Sequence, residues 1–302
     1  MSESLVYLDG KLVPQRDATI NILSPTVKYG VNVFEGIRAY RGAGGGGLAL
    51  FRLKEHLVRL RHSMAIMDYE RVASLEELRE VVVSTVQANK PDGDIHIRLS
   101  ASILGDGFID ATGPIALVCS IAQAKGKRPE ERVIRAGVSS WRRIDDASLP
   151  PRIKNSANYA NSRIAMGEAH RHGYDEPILL TAAGKVAEAG AACLFIVRDG
   201  VLLTPPVTHG ILESVTRDSI LRLARELCGM RVEEREIDRT ELLCADEAFL
   251  CGSAYEVTPI RSIDQITLAL QAPGPLTIIL GEAYGNAVRG ALKGYSHWLT
   301  PV

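Results

Sequence analysis

The sequence predicts two domains, an N-terminal α/β domain followed by a C-terminal α+β domain, and three observations carry this. The 302 residues reach the length at which chains divide into more than one hydrophobic core. The first half alternates segments of period two with segments of helical period, while the second half strings short apolar runs together with tight turns. Between them a charged stretch containing Gly and Pro breaks the apolar rhythm, so the expected division is 1–124, a linker at 125–136, and 137–302.

Residues 33–40, VFEGIRAY, have the length and aromatic content of a strand. A period of two sets Phe34, Gly36, Arg38 and Tyr40 on one face and Val33, Ile37 and Ala39 on the core face. The run GAGGGG at 42–47 has G-x-G-x-x-G spacing, but the strand-like LALF follows it where a dinucleotide site needs a helix. It is read as a flexible hairpin loop. From Lys54 to Ile66, Leu57, Leu60 and Met64 recur at helical spacing, which puts Arg59 on an amphipathic helix. Ser74 and Glu77 have capping-box spacing ahead of Leu78, Val81, Val82 and Val86, a second helix. PDGD at 91–94 is a turn; IHIRLSA then sets Ile95, Ile97 and Leu99 opposite His96, Arg98 and Ser100, whose polar face is a candidate site wall.

Past the linker, VSSWRR and a polar loop lead to a helix over 157–172 that stops at Gly173 with Arg and His in its last turn. PILLT, KVAEA, CLFIV and VLLT read as short strands, and Asp199-Gly200 between the last two is a strong signal for an antiparallel hairpin. A helix over 214–227 carries Ile220, Leu223, Ala224 and Leu227 on one stripe and closes at Gly229.

Composition narrows the function. Hydrophobic residues at 46% and charged residues at 24% describe a folded chain rather than a disordered or fibrous one. Thirty-five Lys and Arg against 36 Asp and Glu leave a formal charge of −1, with no electrostatic footprint for nucleic acid or an anionic membrane, so a small-molecule partner is expected. The cluster Lys125, Lys127 and Arg128 reads as a solvated linker. The start, MSESLVYLDG, has neither the basic nor the apolar region of a signal peptide, and no apolar stretch approaches the roughly 18 residues of a membrane span. Cys119, Cys193, Cys228, Cys244 and Cys251 show no C-x-x-C spacing and read as reduced core residues of a cytoplasmic protein. The histidines form no recognised ligand spacing, and no metal is expected.

Four segments carry residue types suited to chemistry. Lys154, in RIKNSANYANS, precedes the helix that carries Tyr159; on composition alone a lysine is a solvated surface ammonium. Glu188 sits in KVAEAGAACLF, whose small apolar neighbours leave little room for water, and a buried carboxylate needs a cationic partner. An ordinary salt bridge or an exposed strand glutamate answers that pattern equally. In TPPVTHGILESVTRDS a loop enters a helix near Ser214, Val215 and Thr216, where backbone N–H groups and the helix dipole make a phosphate seat, or where Ser214 simply caps the helix. LCGSAYEVTPI offers a second anion-sized turn at Gly252, Ser253 and Ala254, or only a tight turn ending a strand.

Six segments taken in order resemble the blocks of the branched-chain amino-acid aminotransferases, pyridoxal 5'-phosphate (PLP) enzymes of fold type IV: KYGVNVFEGIRAY, FRLKEHLVRL, RIKNSANYANS, KVAEAGAACLF, TPPVTHGILESVTRDS and ADEAFLCGSAYEVTPIRS. The resemblance runs over residues 5–265 and implies a D-amino-acid aminotransferase-like fold with the cofactor between its domains. It implies that Lys154 forms the Schiff base with PLP, that Glu188 pairs with the pyridine nitrogen, and that Tyr159 bonds the ring oxygen. Arg59, the amides of Val215 and Thr216, and the Ser253 turn match phosphate-binding positions; Leu212 matches the residue packed on the ring. Phe34, Arg38, Arg98, Ser253 and Ala254 match substrate positions. Arg98 suits the distal carboxylate of glutamate or 2-oxoglutarate. Tyr29 and the loop 105–108 match elements lent to a neighbouring subunit's site, so a homodimer or higher homo-oligomer is implied.

Three positions depart from the pattern: His96 stands where a tyrosine is expected, Ser214 where a glycine is, and Tyr255 where a small residue is. Tyr255 either supplies the hydroxyl absent at 96 or points into the core. The expected reaction moves an amino group from an apolar, branched-chain L-amino acid to 2-oxoglutarate, with Lys154 carrying the proton. A D-amino-acid or (R)-amine transaminase is the first alternative; 4-amino-4-deoxychorismate lyase and a PLP-binding protein without turnover follow it.

Overall fold

In a computed structural model, the structure describes residues 4–124 and 129–302. The cluster Lys125, Lys127 and Arg128, with the opening of the expected linker, lies outside the described residues. The chain forms two compact units, one of Met1–Gly126, Ile153–Ala157 and Asn286–Val302, the other of Lys127–Arg152 and Asn158–Gly285. The returns at 153–157 and 286–302 rest on pairing between distant residues: Asn155 bridges Val33, and the C-terminal strand Leu299–Pro301 pairs with residues 49–51. Such pairing leaves no local mark in sequence.

The first unit holds β1 (Leu5–Leu8), β2 (Lys11–Pro14), α1 (Pro25–Tyr29), β3 (Asn32–Arg41), β4 (Leu48–Phe51), α2 (Leu53–Ile66), α3 (Leu75–Asn89), β5 (Ile95–Ile103) and β6 (Ile115–Gln123). With the C-terminal strand these form a seven-stranded sheet in the order C-terminal strand, β4, β3, β5, β6, β1, β2. The glycine run turns β3 back into its antiparallel partner β4, so it closes a hairpin. Ile95, Ile97 and Leu99 of β5 and Val33, Ile37 and Ala39 of β3 pack in one core with Leu57, Leu60 and Met64 of α2 and Leu78, Val81, Val82 and Val86 of α3. Ser74 Oγ accepts the Glu77 N–H at 3.1 Å, but the Glu77 carboxylate pairs with Arg71, so only half of the capping box forms. The β3–β5 register sets Arg38 opposite His96 and Gly36 opposite Arg98, which gathers the polar side of both strands on one face.

The second unit holds β7 (Ile134–Arg142), α4 (Tyr159–Arg171), β8 (Glu176–Leu180), β9 (Val186–Ala189), β10 (Cys193–Arg198), β11 (Val201–Thr204), α5 (Val215–Arg222), β12 (Val232–Glu234), β13 (Glu247–Gly252), β14 (Glu256–Ile263) and β15 (Ile266–Thr267). Its nine-stranded sheet runs β12, β11, β10, β13, β14, β7, β8, β9, with β15 beside β14. Asp199 and Gly200, at φ +51° and +75°, close the β10–β11 hairpin with Arg198 opposite Val201. The expected antiparallel hairpins are present, β8 with β9, β10 with β11 and β13 with β14, and beside them β7 pairs in parallel with both β8 and β14, and β11 with β12. A crossover such as α4 joins strands that turn signals cannot link.

Two expectations change. After α5 the chain makes a π-helical turn over Leu223–Leu227, with Cys228 N–H donating to the Leu223 carbonyl at 3.0 Å. The wider turn rotates Leu227 off the buried stripe, and it is 48% exposed while Ile220, Leu223 and Ala224 stay buried. Cys119, Cys193 and Cys251 are core residues, but Cys228 is only partly buried and Cys244 is exposed. Among the described residues no helix is long and apolar enough to cross a membrane.

Candidate active site

Lys154 is pinned through its backbone. Its carbonyl accepts the Phe34 N–H at 3.0 Å and its own N–H donates to Ser63 Oγ at 3.2 Å. Its Nζ then lies 4.9 Å from the Phe34 ring centroid, and the Arg98 guanidinium stacks on the same ring at 3.5 Å. Arg98 also donates to Ser156 Oγ, two residues after the lysine. The His96 imidazole packs over Gly36, where an added Cβ would stand 3.1 Å from it. Burial, followed by the charges of Arg38, Arg98 and Lys154, holds His96 down at about 4, so it is neutral at pH 7. Phe34, Arg38, Arg98 and Lys154, all singled out from sequence, therefore gather on one face that suits an anion.

Arg59 has a partner that the sequence reading missed. Glu35, fully buried on the core side of β3, accepts from Arg59 Nε and Nη2, each at 2.7 Å, and bonds His56 Nδ1 at 2.7 Å. Burial pushes the Glu35 carboxyl up, but the Arg59 guanidinium and then His56 outweigh it and hold it at about 2. Burial also lowers His56, against the pull of Glu35. The signal was present in the sequence. Glu35 falls on the apolar phase of its strand, where a carboxylate needs cations, and His56 and Arg59 stand three apart on one helix.

In the second unit Glu188 is 5% exposed. Arg143 Nη2 lies 2.7 Å from its Oε1, while the Leu212 N–H and the Cys193 thiol donate to Oε2 at 3.3 and 3.7 Å. Arg143 is in turn fixed by donating from Nε to the Gly210 carbonyl at 3.0 Å. The sequence carried no sign of Arg143, which is one of three arginines within residues 142–152. Tyr159 opens α4, and Val215 and Thr216 open α5 behind Ser214, whose Oγ caps the helix by accepting the Arg217 N–H at 3.2 Å. Ser253 and the exposed Ala254 lie in the turn between β13 and β14. The Tyr255 hydroxyl donates to buried Glu176 Oε1 at 2.5 Å, so of its two readings the internal one holds. Burial raises the carboxyl of Glu176, which favours the protonated acid.

Tyr29 is 40% exposed on α1. Lys28 Nζ donates to the Gly107 carbonyl at 2.5 Å and sits 5.2 and 5.1 Å from the Tyr29 and Phe108 ring centroids. Phe108, Ile109 and Ile22 are 74%, 71% and 75% exposed.

Residues 32–263 match the model of the amino-transferase class IV family. A probable branched-chain-amino-acid aminotransferase of Aquifex aeolicus is 39% identical over 305 residues, covering 100% of this chain and 97% of that protein. The PLP form of the branched-chain amino acid aminotransferase from Thermobaculum terrenum superposes with a TM-score of 0.93 at 40% identity, over 99% of this chain and 98% of that one. The branched-chain aminotransferase of the thermophilic archaeon Thermoproteus uzoniensis, solved with norvaline, does so with a TM-score of 0.93 at 41% identity, over 99% of each chain. The chain belongs to the branched-chain-amino-acid aminotransferases of class IV.

Proposed function

We propose that this aminotransferase moves the amino group of an apolar, branched-chain L-amino acid to 2-oxoglutarate, with PLP held by Lys154 through a Schiff base. The observation that carries the reading is Lys154, fixed by two backbone hydrogen bonds beside the face of Phe34, Arg38 and Arg98. The residues also fit the cofactor. Glu188 is a buried negative charge held in place by Arg143, suited to a protonated pyridine nitrogen, and α5 offers its first amides and dipole to a phosphate.

Bound PLP supplies an electron sink for the pair released at the substrate α-carbon. Glu188 holds the proton on the pyridine nitrogen, and Tyr159 donates to the ring oxygen. Arg59, the amides of Val215 and Thr216, and Ser253 hold the phosphate, while Leu212 packs on the ring. Lys154 Nζ would take the proton from the substrate's α-carbon and return it two bonds away, across the nitrogen, at the carbon contributed by the cofactor. Phe34 takes the apolar side chain. Arg38 and Arg98 take carboxylates, Arg98 the distal one of 2-oxoglutarate, with Ala254 and Ser253 beside the substrate. Two copies of the chain pair, Tyr29 of each serving the other's substrate site, in the cytoplasm where its thiols stay reduced.

The test is the absorption spectrum of PLP-loaded protein after separate additions of L-leucine, D-alanine and an (R)-amine. L-Leucine is expected to convert the yellow form to the pyridoxamine form. Conversion by D-alanine or the amine alone would replace this reading with the D-amino-acid or amine alternative.

A further inference from the structure

One small side chain in the second unit touches three of the segments that the proposed function turns toward the cofactor. Cys193 on β10 is buried, and its Sγ lies 3.7 Å from Glu188 Oε2 and 3.9 Å from the Leu212 carbonyl. Cys251, one residue before the Gly252–Ser253 turn, stands directly across the β10–β13 ladder from Cys193. We propose that Cys193 is a positioning residue for Glu188, its thiol being the third donor that fixes the carboxylate against the cofactor's pyridine nitrogen.

The geometry separates the work of the donors. Arg143 fixes Oε1 at 2.7 Å, whereas Oε2 is held by the Leu212 N–H at 3.3 Å and by the thiol. Without the thiol, one long bond from a loop amide holds that oxygen, and the carboxylate can turn about its terminal torsion. Burial and the Glu188 charge push the Cys193 thiol up to about 12, so sulfur keeps its proton and remains a donor instead of becoming a second buried anion beside the first. Of the two acceptors near it, the ionised carboxylate is the stronger. Cys193 is 2% exposed on a strand whose next residues, Leu194, Phe195 and Ile196, are fully buried, so its thiol is out of reach of solvent.

This inference rests on reading Glu188 as the partner of the pyridine nitrogen. The experiment compares Cys193→Ala, Cys193→Val and Cys193→Ser with the parent, each checked by circular dichroism and thermal melting of the apoprotein. In Cys193→Ala and Cys193→Val, PLP is expected to dissociate about fivefold faster, and the pH at which the bound chromophore changes colour is expected to move. Their kcat should fall by about the same factor, with KM for L-leucine within about twofold. Cys193→Ser keeps a donor and should restore all three. Parent-like dissociation and colour in Cys193→Ala and Cys193→Val would overturn the inference, and so would failure of serine to do better than valine. A parent protein that binds no PLP would overturn the reading of Glu188 as well, so the two failures are told apart.

Discussion

Glu35 shows how a single residue binds the sequence to the site. It lies between two apolar neighbours on a strand, and its charge is tolerated only because Arg59 and His56 answer it from α2. Replacing Glu35 with Gln leaves the part-buried Arg59 guanidinium without its counter-charge and is expected to cost about 3 kcal/mol, read as a lower urea midpoint. The folded carboxyl is held at about 2, below its ordinary value, so its stabilisation is complete at neutral pH and is lost as pH falls from the ordinary carboxylate range through 2. Glu35→Gln should therefore flatten that acid limb; an unchanged limb would contradict the role given to Glu35. Lys154, Glu188 and Arg98 were singled out through the family resemblance of the segments that carry them, since local surroundings alone left each with an ordinary reading. Arg143 was not, since nothing local separates it from Arg142 beside it. Tyr255 was left with two readings because its partner Glu176 is 79 positions away.

Elements were legible where their causes are local. Asp199-Gly200 supplied the positive φ values that its hairpin turn demands, and the spacing of apolar residues located α2 and α3. Parallel pairing of β7 with β8 and β14 was not legible, because no turn or period records which distant strand comes alongside. The π-turn after α5 was hidden too, since the repeat of apolar residues does not distinguish a five-residue turn from an α-turn. The start of the same helix makes a prediction. Ser214 caps it by accepting the Arg217 N–H, so Ser214→Ala should cost about 1 kcal/mol in urea unfolding while Ser214→Gly costs only a few tenths. Equal losses in the two variants would mean that the cap is not what Ser214 contributes.

For the whole molecule, the pairing of two copies proposed above is tested at the exposed side chains of α1 and residues 105–109. A charge placed among them, Phe108→Glu, should halve the mass seen in sedimentation and lower activity while leaving the circular dichroism unchanged; a full-mass, active variant would contradict the pairing proposed. The family resemblance was legible along most of the chain because a chain of the same fold carries its site residues in the same order of segments. The amino donor was not, since it depends on how side chains such as His96 and Arg38 share one face. Everything proposed for the reaction depends on Lys154 carrying the cofactor. This is tested most directly by reducing the PLP-loaded protein with borohydride and mapping its peptides by mass spectrometry. A phosphopyridoxyl group is expected on Lys154 and none elsewhere, absent when Lys154→Ala is treated in the same way. A label on another lysine, with Lys154 unmodified, would contradict it.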